Sequence, residues 1–163
     1  MTRDALRHRA ALVAVCGASD ATPEEIAIAE RVGRMLAERG VIVVCGGLGG
    51  VMEGACRGVS AGGGTSVALL PGDDPAAANP HATVCLATGL GEMRNALIAR
   101  VARAMIAVGG GVGTLSEIAL MLRIGRPVCA VSSWEISPPH GGSPPIHRAA
   151  DAGSAVTWVM DRL

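Results

Sequence analysis

Lysine, tyrosine and phenylalanine are all absent from this 163-residue chain, so its fourteen basic residues are all arginine. Without lysine neither a Schiff base nor a Walker-type phosphate loop can be built, because each needs an amine at a fixed place. Only Trp134 and Trp158 are aromatic, and base stacking on side chains is closed to a binding site unless one of them reaches it. The formal charge is zero and no basic run occurs, which argues against a nucleic-acid partner. Apolar stretches are strand-length and broken by glycine or charge, so neither a membrane span nor a secretory leader is expected. The five cysteines, at positions 16, 45, 56, 85 and 129, form no CxxC and make an odd number. They read as reduced core thiols of a cytoplasmic protein. His8, His81, His140 and His147 are scattered, and no protein-ligated metal is expected from their spacing.

What is present is aliphatic and glycine-rich. Half of the residues are hydrophobic, enough for one well-buried core, and residues 1–163 read as a single domain whose residues 1–9 fray. Short apolar runs at 11–15, 41–44, 65–70, 83–86, 104–108 and 128–131 predict six strands. Between them helical spacing predicts helices from Pro23 to about Gly40, 51–60, 92–102 and 114–124. Thr22-Pro23-Glu24-Glu25 supplies the first of these with an N-cap, an N1 proline and a capping-box glutamate. Residues 71–81 read as a loop without its own element, and residues 134–146, rich in proline and glycine, as an irregular loop. A last helix is expected at 155–163, although those letters also suit a strand. The alternation predicts an α/β Rossmann-like three-layer sandwich with a mainly parallel sheet.

In such a sheet ligands bind beyond the carboxyl ends of the strands. Five glycine-containing turns fall there: Cys16-Gly17-Ala18-Ser19, Gly46 to Gly50, Pro71-Gly72, Thr88 to Gly91, and Gly109-Gly110-Gly111-Val112-Gly113-Thr114. Glycine admits close approach of an anion to backbone N–H groups, and a following helix adds its dipole. The alternative is that these are tight strand-to-helix turns. Neither helix-leading loop fits G-x-G-x-x-G, and no acidic residue ends the second strand, which disfavours a dinucleotide. Glu117 stands three residues after Thr114, a spacing that suits a capping box as well as a carboxylate meeting a ribose or an oxocarbenium-like centre. Arg94 falls in the first turn of its helix, where a cation is unfavourable unless an anion is near. Glu92, a ligand, or simple solvation would each answer that. Asn95 adds an amide, or a structural contact, at the same helix start.

The run Gly109 to Glu117 with Arg94 fifteen residues ahead resembles the P-G-G-x-G-T-x-x-E motif and preceding arginine of the LOG-like Rossmann superfamily. The resemblance covers about residues 11–131 and includes Gly46 to Glu53, Leu70 to Asp73, Asn79-Pro80 and Thr88 to Asn95. Its nearest branch is the molybdenum-cofactor-carrier-like one. It implies ligand contacts at Gly17, Ser19, Gly46, Gly47, Gly49, Gly50, Met93, Arg94, Asn95, Gly109, Gly110, Gly111, Gly113, Thr114 and Glu117. The carrier branch implies a phosphorylated, nucleotide-like ligand such as molybdopterin as cargo, with no cofactor required. The LOG branch implies a phosphoribohydrolase acting on nucleoside 5'-monophosphates, with Arg94 and Glu117 as its catalytic pair. Three positions depart from the family pattern: Gly109 stands for the motif proline, Asn95 for a basic residue and Arg103 for an aspartate. The resemblance also implies a homodimer, to which residues 96–101 and 118–122 offer apolar helices, although helical periodicity fits burial in the monomer equally.

Overall fold

In the computed structural model, which describes residues 11–163, the first strand, β1 (Leu12–Cys16), buries both of its sides. Val13 and Val15 enter one core and Ala14 and Cys16 the other, the period-two alternation of a strand covered on two faces. The expected fraying of residues 1–9 lies outside the described residues.

The remaining elements follow in alternation: α1 (Pro23–Ala37), β2 (Ile42–Cys45), α2 (Val51–Ala61), β3 (Ser66–Leu70), β4 (Val84–Ala87), α3 (Arg94–Val101), β5 (Ala104–Val108), α4 (Val112–Arg123), β6 (Val128–Val131), β7 (Ile146–Arg148) and α5 (Ala152–Met160). One parallel sheet runs in the order β4-β3-β2-β1-β5-β6-β7. Helices α1, α2 and α5 cover one face, where Val32, Leu36, Val59 and Val156 pack on Val13, Val43 and Ile106. Helices α3 and α4 cover the other through Ile98, Ile118 and Met121, each fully buried. Burying each of these side chains contributes roughly 1.5–3 kcal/mol.

The Rossmann-like expectation holds, with seven strands rather than six. The strand missing from the six, β7, is three residues long at the end of the proline-rich region, and its order comes from pairing Ile146–Arg148 with Val128–Ala130. No local periodicity of that length marks a strand. The loop after β3 contains a 3-10 turn, Pro75–Ala77, begun by the Asp74 carboxylate accepting from the Ala76 N–H at 2.8 Å. α5 starts three residues before its expected start, where Asp151 and Ser154 form a capping box. α1 begins as read: the Thr22 hydroxyl accepts from the Glu25 N–H at 3.2 Å and Glu25 returns the bond to the Thr22 N–H at 2.8 Å.

The sheet runs from β1 to β4 in one direction and from β5 to β7 in the other, so β1 and β5 meet at a topological switch point. A crevice opens there, beyond the carboxyl ends of the strands.

Candidate functional site

The loops that follow β1, β2, β3 and β5, together with the start of α3, enclose a cavity of about 360 Å³, within the range of small-molecule sites. Gly17 lies at the switch point itself. A β-carbon there would come within 2.5 Å of the Val108 carbonyl oxygen and of Val51.

Helix starts divide by position. α1 and α5 carry full capping boxes. α2, α3 and α4 have no side-chain cap at all, and all three begin at the cavity, which Met52, Arg94, Asn95, Gly113 and Thr114 line. α3 continues from a 3-10 turn, Gly91–Met93, whose Gly91 and Glu92 carbonyls accept the Arg94 N–H. The starts left without such a lead-in are those of α2 and α4, where uncapped first-turn N–H groups and the positive end of the helix dipole suit an anion. The N-cap of α4 is Gly111, so the helix begins two residues before its expected start. Glu117 therefore sits in its second turn, and the capping-box reading of Thr114 and Glu117 falls.

Arg94 is 7% exposed, which removes the reading of a solvated surface arginine. Its Nη1 donates to the carbonyls of Gly46 and Leu69, and its Nε donates to Asn95 Oδ1 at 3.2 Å. It forms no ion pair with Glu92 or Glu117 among the described residues. Nη2 has no protein acceptor there, yet no fully buried side-chain nitrogen lacks a partner, so Nη2 is open to the cavity. Asn95 extends the chain of bonds: its Nδ2 donates to Ser116 Oγ at 2.9 Å, and that hydroxyl donates to the Gly113 carbonyl at 2.8 Å. The guanidinium is thereby coupled to the glycine loop.

Glu117 is 8% exposed. Burial pushes its carboxyl up to about 6, while the Cys16 thiol and the Arg94 charge act in the opposite direction. The neighbouring Cys16 thiol is itself raised well above its ordinary value, by burial first and by the Glu117 charge second.

The glycine loop is held from behind. Gly109 and Gly110 have φ of 53° and 116°. Ser133 Oγ donates to the Gly109 carbonyl, and the Trp134 indole N–H donates to the Gly111 carbonyl at 3.0 Å. Arg148 in turn donates to the carbonyls of Ser133 and Trp134. One tryptophan thus reaches the loop, but through its N–H.

Of the residues singled out from sequence, Gly17, Ser19, Arg94, Asn95, Gly111, Gly113, Thr114 and Glu117 line the cavity. Gly46 lies behind Arg94 as an acceptor and Gly47 accepts from Asn79 Nδ2 at 3.2 Å. Gly49, Gly50, Gly109 and Gly110 shape the two loops without lining the cavity, and Met93 is exposed. Ala18, Leu48, Met52, Pro71, Gly91 and Glu92 line it as well. Their common signal in sequence is position, since each lies in a turn after a strand or in the first turn of the next helix.

Residues 10–151 match the model of the SLOG cluster4 family. An uncharacterised protein of Archaeoglobus fulgidus is 42% identical over 119 residues, which cover 73% of this chain and 78% of that protein. The molybdenum cofactor binding protein of Rippkaea orientalis superposes with a TM-score of 0.85 at 25% identity, over 94% of this chain and 98% of that one. The molybdenum cofactor carrier protein of Chlamydomonas reinhardtii gives 0.82 at 29% identity, over 94% and 97%. DNA processing protein A of Helicobacter pylori, at 16% identity and a TM-score of 0.68, covers 93% and 80% and shares the fold.

Proposed function

The chain belongs to the SLOG cluster4 family, and on that premise we propose that it is a binding protein for a phosphorylated, nucleotide-like small molecule, with the molybdenum cofactor as candidate cargo. The observation that carries this reading is the convergence on one cavity of two helix starts without side-chain caps, α2 and α4, and of the buried Arg94 at the start of α3, in a chain that caps α1 and α5 with side chains. A phosphate seated at α4 would complete that helix start, and Arg94 Nη2 would add a charge-assisted bond. The molybdenum cofactor binding described for the proteins of Rippkaea orientalis and Chlamydomonas reinhardtii supports the cargo class.

A second reading, hydrolysis of the N-glycosidic bond of nucleoside 5'-monophosphates, is favoured by one observation: a buried carboxyl with a raised pKa, Glu117, in the same cavity as a buried arginine. There Arg94 would orient the phosphate, and Glu117 would stabilise charge developing at the anomeric carbon.

Incubation of the purified chain with AMP and other nucleoside monophosphates separates the two readings. The carrier reading expects a raised melting temperature with molybdopterin and no released base. Released base that disappears in Glu117→Gln establishes the hydrolase instead. No shift with inorganic phosphate, nucleotide or pterin refutes both.

The cytoplasm is the proposed location, and among the described residues no helix is long and apolar enough to cross a membrane. A homodimer is proposed through α3. Leu97 and Val101 are exposed on it and Met93 just before its start, spaced by four, and Leu86, whose register partner Leu69 faces α3 and α4, continues the apolar surface onto edge strand β4. The 118–122 segment takes no comparable part, because Ile118 and Met121 are buried in the monomer.

A further inference from the structure

Two cysteines bracket the Gly46–Gly50 loop, and neither the carrier nor the hydrolase reading uses them. Cys45 ends β2 and Cys56 lies in the second turn of α2, and their sulfurs are 3.5 Å apart and fully buried. Met52, one turn before Cys56 on the same helix face, packs against both. Its Sδ lies over Gly46, where a β-carbon would come within 2.6 Å of it. Met52 also lines the cavity, so one side chain touches both the buried thiol pair and the cavity.

We propose that Cys45, Cys56 and Met52 form a binding site for a soft d10 monocation of the Cu(I) class, loaded through the cavity.

The donor set selects the ion. Thiolate and thioether sulfur favour Cu(I), whereas calcium and magnesium require oxygen. Structural zinc requires four ligands, and among the described residues no three His, Cys, Asp or Glu side chains converge. Two thiols and one thioether satisfy a low-coordinate ion and leave a tetrahedral one incomplete. Loading breaks two S–H bonds, forms two thiolate S–Cu bonds and one dative bond from the Met52 thioether, and releases two protons to solvent. No electron is transferred, because the ion arrives as Cu(I). The product carries one net negative charge. The buried guanidinium of Arg94, bonded to the carbonyl of Gly46 next to Cys45, places a positive charge close enough to balance it. The spacing of His residues and the lack of CxxC excluded a metal from sequence. The pair forms only when the β2 end and α2 come together, eleven residues apart in the chain.

The test is an anaerobic competition between the purified full-length chain and a chromophoric Cu(I) chelator, which needs no knowledge of the cargo. The wild-type chain is expected to retain one equivalent. Cys45→Ala and Cys56→Ala are each expected to weaken retention by more than about tenfold, the smaller end of what even a supporting residue contributes to a metal site. Cys85→Ala leaves it unchanged, and excess Zn(II) does not displace the ion. Retention unaltered in both alanine variants, or lost in Cys85→Ala, overturns the proposal. If the alanine variants unfold, Met52→Leu decides, because it conserves core volume. Weaker retention supports the site, and unchanged retention refutes it.

Discussion

Arg94 and Glu117 line one cavity, both almost fully buried and opposite in charge, and yet they form no ion pair. The guanidinium is turned onto the Gly46 and Leu69 carbonyls, and the carboxyl is left with the Cys16 thiol. A space between two such groups suits a ligand that bridges them.

The first expectation concerns pH. Burial raises Glu117 from 4.5 to about 6, so the folded chain holds this proton more tightly than the unfolded chain. The stability from that proton is fully present below pH 4.5 and is lost as pH rises through about 6. At neutral pH the buried charge therefore costs about 2 kcal/mol. Glu117→Gln is expected to be more stable than wild type by that amount at neutral pH and equal to it in acid. Urea unfolding of both proteins across this range checks it. A constant difference at all pH values would refute the assignment.

Asn95 connects Arg94 to Ser116 and through it to Gly113. Asn95→Ala leaves the buried Arg94 Nε–H without that partner, at a cost of about 1–3 kcal/mol, and frees the exposed Ser116 hydroxyl to water. A lower melting temperature is expected together with weaker ligand binding, because the carbonyl of Gly113 loses the group that orients its hydroxyl partner. Ser116→Ala should weaken ligand binding and leave Arg94 in place. Equal affinity in all three proteins would show that the relay does not position the loop.

The layout of strands and helices was legible because it is local. Thr22 to Glu25 hold within four residues everything α1 needs to begin, and β1, β2 and β5 are uninterrupted apolar runs. The site was legible as glycine loops after strands. Its internal bonding was not. Arg94 finds its acceptors 48 and 25 residues away, and Trp134 reaches Gly111 across 23. These are pairings that only the assembled sheet produces. β7 escaped for the same reason, since its order is borrowed from β6. Thr114 and Glu117 misled in the other direction: their spacing imitates a capping box, while the helix starts earlier, at a glycine whose bare backbone faces the cavity.

Met93 is 75% exposed and Leu97 and Val101 continue its stripe along α3. Apolar residues at this spacing on a solvent face suit the proposed dimer contact. Light scattering is expected to give twice the 16.4 kDa mass of the chain, and Leu97→Glu should return the monomer with its secondary structure intact. A monomeric wild type would remove the dimer.

Gly109 replaces the family's motif proline, and the structure explains why proline does not fit this loop. Its φ of 53° is left-handed, whereas proline fixes φ near −65°. Its N–H donates to the Val131 carbonyl at 3.1 Å, a bond proline cannot make. Gly109→Pro is therefore expected to destabilise by about 3 kcal/mol or more and to abolish ligand binding. Gly109→Ala keeps the N–H but carries two smaller penalties. The left-handed conformation costs an alanine about 1–2 kcal/mol, and its β-carbon would come within 1.8 Å of Glu25 Oε1. To avoid that clash Glu25 must leave Thr22, which costs a helix cap of about 1 kcal/mol. The two penalties separate in a double-mutant cycle. With Glu25→Ala already in place, the cap is gone and the clash has no partner, so Gly109→Ala should then cost only the conformational part. Full additivity of the two substitutions would show that Glu25 does not brace the loop.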